Sequence, residues 1–179
     1  VAPPTWTRGD YELTTDQARI DTAAVHHYLS EESYWARGIP RETVERSMQH
    51  SLCFAILHCG QTVGFARVTS DLATVAYLGD VFVLPAHRGK GLSKWLMSCI
   101  TEHPQLQGLR RWMLATADAH GLYAQCGFTP IKAPERWMER DRVLRSASRH
   151  EGMWHAALGI KINKIVSQGY ELHGDVPLR

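Results

Sequence analysis

Long hydrophobic runs are missing from this sequence. No apolar stretch approaches the ~20 residues that a helix needs to cross a bilayer, and the start carries no signal-peptide pattern. An excess of one charge sign is missing too: 20 Lys and Arg stand against 18 Asp and Glu, a formal net charge of +2, which offers no bulk attraction to nucleic acid. Cys53, Cys59, Cys99 and Cys126 are scattered with no C-x-x-C pair, a pattern of free thiols in a reducing compartment rather than of bridges or a zinc ribbon. The 10 histidines include a His26-His27 pair, but none has the spacing of a shared metal site. No internal repeat or low-complexity tract is present. At 179 residues, 44% of them hydrophobic, the chain is expected to be a soluble cytoplasmic protein with a substantial core and with no metal, nucleic-acid or membrane partner.

What the chain does have is concentrated in residues 80–96, Asp-Val-Phe-Val-Leu-Pro-Ala-His-Arg-Gly-Lys-Gly-Leu-Ser-Lys-Trp-Leu. An apolar strand runs into a turn with two glycines, then into an amphipathic helix whose apolar stripe is Leu92, Trp95, Leu96, Cys99 and Ile100. A helix N-terminus has unpaired N–H groups and partial positive charge, so it binds phosphate. Gly89 and Gly91 let backbone approach a ligand closely, and Arg88 and Lys90 place fixed cations beside the same turn. A Walker A loop and a dinucleotide fingerprint are both excluded, the second because Lys94 stands where its third glycine would be.

These residues resemble the acyl-coenzyme A signature of the GNAT superfamily of N-acetyltransferases, Arg/Gln-x-x-Gly-x-Gly/Ala, met here by Arg88, Gly89, Lys90, Gly91, Leu92 and Ser93. Serine takes the last place, small enough to keep the helix close to a diphosphate. A second stretch, residues 119–128, is similar to the family segment in which a short helix carries a tyrosine and ends at Gly-Phe. Gly127 has the position of a helix C-cap, and Tyr123 that of the tyrosine that faces the sulfur of coenzyme A. An asparagine common in that segment is Thr116 here. The resemblance implies acetyl-CoA as cofactor, held by the 88–93 turn and by the backbone of Phe82 and Val83, and it covers roughly residues 80–128. It implies an α/β (α+β) fold with a mixed, mostly antiparallel sheet splayed in a V and flanked by helices.

The order of elements fits. Strands are expected at 11–13, at 52–57 and 63–69 as a hairpin, at 73–84 and at 111–116, and again near 128–131 and 136–138. Helices are expected at 22–29, with Ala23, His26, Val25 and Leu29 inward, from Pro40 onward, at 91–102 and around Tyr123. Residues 1–139 are expected to form the acetyltransferase domain. Residues 140–179 read as an extension, with a helical stripe at Trp154, Leu158, Ile162 and Ile165, that packs on the core or on a partner subunit in a homodimer.

Acyl transfer needs a deprotonated amine, support for an oxyanion and a leaving thiol. A thiol has a pKa of ~8.5, so one weak acid suffices, and Tyr123 is the candidate. A tyrosine on an amphipathic helix also suits a purely core-lining place. Asp80 is the candidate base. Residues 77–83, Tyr-Leu-Gly-Asp-Val-Phe-Val, are similar to the strand Tyr-Leu-Glu-Asp-x-x-Val of polyamine acetyltransferases, with Gly79 replacing the first acid. Asp80 is therefore open to acting through water, to steering a cationic amine, or to pairing with Arg67 or Arg111. Glu31, Glu32, Tyr34 and Trp35 lie where the family shapes its acceptor pocket, and acid beside aromatic suits a protonated amine. The same rings equally suit anchoring of the loop. The expected reaction is direct transfer, in a ternary complex, from acetyl-CoA to a primary amine of a small molecule. Alternatives are a non-catalytic acyl-CoA sensor, or an acetyltransferase acting on a protein or aminoacyl-tRNA amine.

Overall fold

The computed structural model of the protein describes residues 3–140. One sheet carries six strands in chain order, β1 (Thr5–Arg8), β2 (Tyr11–Thr14), β3 (Leu52–His58), β4 (Gln61–Ser70), β5 (Val75–Val83) and β6 (Arg111–Met113). Neighbours run antiparallel except β5 and β6, which are parallel. The helices are α1 (Thr22–His27), α2 (Arg41–Gln49), α3 (Leu92–Thr101) and α4 (His120–Ala124).

β3 is apolar almost throughout because both its faces are covered. Phe54 and Ile56 pack in a core with Leu92, Leu96, Met97 and Ile100 of α3. Cys53, Ala55 and Leu57 pack on the other face with Val25 of α1 and with Val44 and Met48 of α2. Strand alternation thus puts α3 and α4 on one side of the sheet and α1 and α2 on the other. Asp21 caps α1, its carboxylate accepting from the N–H groups of Ala23 and Ala24, a contact worth about 1 kcal/mol.

Two irregularities in β5 position everything that follows. β5 and β6 pair only where Val75, Ala76 and Tyr77 face Arg111, Trp112 and Met113. Past Tyr77 the two chains part, and residues 78–83 have no strand partner on that edge among the described residues. This opening is the expected V. On the other edge Phe65 faces Phe82 and Arg67 faces Gly79, so Asp80 and Val81 together oppose Ala66 alone, a β-bulge. Asp80 takes up the extra length in the left-handed region, at φ +56°, which aspartate tolerates better than most residues.

Several expectations need correction. β1 precedes the strand expected first. α1 ends at His27 and continues as a wider π turn over Tyr28–Glu32; the residues they bury are Val25, Tyr28, Leu29 and Ser30, while Ala23 is exposed. The strands expected near 128–131 and 136–138 are absent, and no strand follows Met113 among the described residues. Pro130 and Pro134 lack ladder donors, the segment is mostly exposed, and Pro134–Arg136 forms a single 3-10 turn. The extension's helical stripe lies outside the described residues. No helix among the described residues is long and apolar enough to cross a membrane.

Candidate active site

β5 delivers the chain into the glycine turn. Gly89 and Gly91 adopt φ +76° and +73°, conformations that favour glycine. Gly91 is the N-cap of α3 and no side chain among the described residues caps that end, so the first amides of the helix remain available to an anion. They face a cleft of about 250 Å³ lined by Val83, Arg88, Gly89, Gly91 and Ser93 and by Leu122 of α4. Leu92 is buried in the core and anchors the turn from beneath. No described residue lies within 4 Å of a Cβ built on Gly89, which leaves the backbone there room for a ligand. The residues present fit the diphosphate that the family resemblance implies.

The cations are not where their sequence positions suggest. Arg88 turns inward: its Nε donates to the Val83 carbonyl at 2.8 Å and its Nη2 to the Tyr28 hydroxyl at 3.1 Å. Lys90 donates to the Tyr11 hydroxyl at 2.9 Å. Arg8, at the end of β1, donates to the Gly91 carbonyl at 3.2 Å. Neither Arg8 nor Tyr28 was flagged by sequence. Arg8 lies on an edge strand far from the motif, whereas Tyr28 stands three residues after Val25 on the buried face that α1 continues, a spacing the sequence does offer.

Asp80 sits at the bulge with its carboxylate largely covered. Oδ2 accepts from Arg67 Nε at 2.7 Å, and Oδ1 from the Trp35 indole N–H at 3.3 Å. The Tyr77 ring and the Arg67 guanidinium flank Gly79, at 3.4 and 3.8 Å from where a Cβ would stand. Tyr34 packs edge-on against Trp35 at 5.0 Å. Its hydroxyl donates to Asp118 at 3.3 Å and accepts from the Ala117 N–H at 3.1 Å. The 33–37 loop is thereby tied both to the bulge and to the segment leading into α4, while Thr116 accepts from the Ala119 N–H there. Glu32 lies on the Tyr28 side, 4.0 Å from His27, and Glu31 accepts from the adjacent Ser30 hydroxyl. The structure therefore brings Asp80, Tyr34 and Trp35 together. Glu31 is not joined to them, and Asp118 is an additional carboxylate that sequence reading passed over.

Tyr123 on α4 is 8% exposed. Burial first, then the nearby Tyr34 and Asp118, push its phenol up to about 12. Gly127 closes the turn after α4 at φ +85°, and the Phe128 N–H bonds back to the Tyr123 carbonyl. Phe82 and Val83 point their side chains into opposite cores, so what they offer the opening is backbone. Among the described residues no group of three or more His, Cys, Asp or Glu is arranged to hold a metal.

This geometry coincides with a match of residues 22–128 to the acetyltransferase (GNAT) family. The chain belongs to that family. A crystal structure from Xanthomonas campestris pv. campestris is 54% identical, covers 73% of this chain and 92% of its own, and superposes with a TM-score of 0.72. A curated Gibberella zeae protein is 33% identical over 69% of this chain and 81% of its own length. Both carry the description "putative acetyltransferase". A more distant structure from Clostridium acetobutylicum, described as a predicted acetyltransferase with acetyl-CoA, is 13% identical, with a TM-score of 0.58 over 75% of this chain and 96% of its own. The GNAT chain described here is accordingly an acetyltransferase with the family's open, mostly antiparallel sheet.

Proposed function

We propose that the protein transfers an acetyl group from acetyl-CoA to a primary amine of a small cationic molecule, with both substrates bound together. One observation carries this reading: the bulge sets a carboxylate, Asp80, against Trp35 on the strand whose free edge opens toward the glycine turn. When bound, acetyl-CoA supplies a thioester carbonyl activated for attack. The amides of residues 89–93 would hold its diphosphate, with the Ser93 hydroxyl as a further donor. The free edge of β5 at Phe82 and Val83 would take the extended arm by strand-like hydrogen bonds.

On the acceptor side, Asp80, Asp118 and Glu32 supply negative charge, and Tyr34 and Trp35 supply ring faces for an ammonium. Asp80 gives one oxygen each to Arg67 and Trp35. A carboxylate has about four acceptor positions, so it retains capacity to hold a cation. Its role in this reading is to steer and orient the amine, which loses its proton to water before attack.

Tyr123, pushed up to about 12, stays protonated through the working range. Against a thiol of ~8.5 complete proton transfer is uphill, so its contribution is a hydrogen bond to the sulfur as charge develops there. Burial pushes the thiols of Cys53 and Cys99 up to about 12 and about 11, which disfavours either as a nucleophile. Residues 1–139 constitute the catalytic domain in this reading.

The test is Asp80→Asn. The expected result is a loss of kcat/KM for cationic amines of at least tenfold, with acetyl-CoA affinity and far-UV circular dichroism retained. Equal rates in variant and wild type contradict the assignment.

A further inference from the structure

His87 lines the same cleft as Gly89, Gly91 and Ser93, and its surroundings set it apart from an ordinary surface histidine. Its Nδ1 lies 3.0 Å from the Tyr11 hydroxyl, and that hydroxyl receives the Lys90 ammonium at 2.9 Å. Lysine has donors only, so the Tyr11 oxygen accepts from Lys90 and its O–H is left to donate to Nδ1. The neutral ring is thereby held with its proton on Nε2, which has no hydrogen bond to another described residue. His58 from the end of β3 stacks into the group, with ring centroids 4.8 Å from Tyr11 and 5.1 Å from His87.

The charged and titratable neighbours are His58 on β3, Lys90 and Arg88 in the turn, Lys94 on the first turn of α3, and Arg8 reaching Gly91 from β1. No carboxylate bonds to the ring among the described residues. Burial, then His58 and Lys90, hold His87 below the usual imidazole range. The turn is thus a cationic setting around a ring kept neutral, and it stays so until an anion arrives.

We propose that His87 is a phosphate ligand of the cofactor site, and that the cofactor's diphosphate binds together with a proton taken up by this ring. The inference rests on reading the turn as the acyl-CoA phosphate site. The proton comes from bulk water and adds at Nδ1. The Tyr11 oxygen then accepts from Nδ1–H, its own hydrogen turning away, while Nε2–H donates to a phosphate oxygen. A nearby phosphate favours the charged ring and so opposes the cationic neighbours that disfavour it. By linkage, affinity for CoA rises as pH falls through the ring's titration.

The experiment is an NMR titration of the full chain, following the His87 ring and the amides of residues 89–93 with and without CoA. The expected result is movement of those amides and a rise of about one unit or more in the His87 midpoint. If the amides move and the His87 midpoint does not, this inference is overturned while the cofactor site stands. If neither responds to CoA, the cofactor site is wrong and the inference falls with it. A second measurement is calorimetry with His87→Gln, whose amide oxygen still accepts from Tyr11. The ribose monophosphate of CoA itself titrates near pH ~6, so the two proteins are compared with each other. Wild type should tighten several-fold more than the variant between about pH 8 and about pH 6. Identical profiles overturn the proposal.

Discussion

Arg88 and Tyr28 are bonded between the cofactor turn and the acceptor side, the guanidinium donating to the phenol oxygen at 3.1 Å while its Nε holds the Val83 carbonyl at 2.8 Å. Tyr28 in turn stacks on Phe82 at 3.9 Å. One side chain thus links the end of β5, the turn and the π segment. Tyr28→Phe keeps the stack and removes the bond. The expected outcome is a several-fold rise in KM for both substrates and a stability loss of about 1 kcal/mol. Steady-state kinetics and urea unfolding check it, and a change confined to one substrate would contradict the link.

Gly89→Val separates strain from steric clash, because no described residue lies within 4 Å of the new Cβ. A branched residue at φ +76° is costly by roughly 1–2 kcal/mol, and its bulk stands where a phosphate would meet backbone. The expected result is a folded protein whose acetyl-CoA affinity is down at least tenfold by calorimetry. Unchanged affinity would remove the turn from the site.

Tyr123→Phe keeps the ring that packs 6.0 Å from Phe128 and removes the hydroxyl. Loss of a hydrogen-bond donor to the charge developing on the leaving sulfur costs roughly 10²–10³-fold, so kcat should fall by about a hundredfold or more while KM for acetyl-CoA changes little. A variant at full rate would return Tyr123 to a packing role.

Much of this was legible in advance, and the reasons are local. Gly89, Gly91 and the apolar stripe of α3 are consecutive or helically spaced, so sequence order alone carries them. Asp80 was singled out by its strand, and its pairing with Arg67 was among the roles left open. The left-handed bulge that presents it depends on the register of β4 against β5, which no window of residues encodes. Tyr28 stands at helical spacing from Val25, so its burial was within reach of the pattern, whereas the inward bonds of Arg88, placed by sequence as a cation beside the turn, depend on partners 5 and 60 positions away. The expected strands after Phe128 failed where prolines interrupt an exposed segment.

His103 offers a test of the core that is independent of chemistry. It is buried against Trp6 and Phe54, its Nδ1 accepts from the Gln105 N–H, and its Nε2 has no partner among the described residues. Burial holds its pKa below the usual range, so folding favours the neutral ring. Its contribution is complete above the unfolded value of ~6.5 and is lost as pH falls below that value, by up to about 1.4 kcal/mol per pH unit. Thermal unfolding from about pH 7 to about pH 5 should show a shallower decline in His103→Gln than in wild type. Matching slopes would place the acid sensitivity elsewhere.

The most direct test of the account is release of free CoA from acetyl-CoA by the full chain across a panel of primary amines, cationic and neutral, at several pH values. The expected result is turnover that favours small cationic amines, rises with pH as free amine accumulates, and gives intersecting initial-rate lines when both substrates are varied. Tight acetyl-CoA binding with no turnover on any amine, or equal rates for cationic and neutral amines, would contradict it.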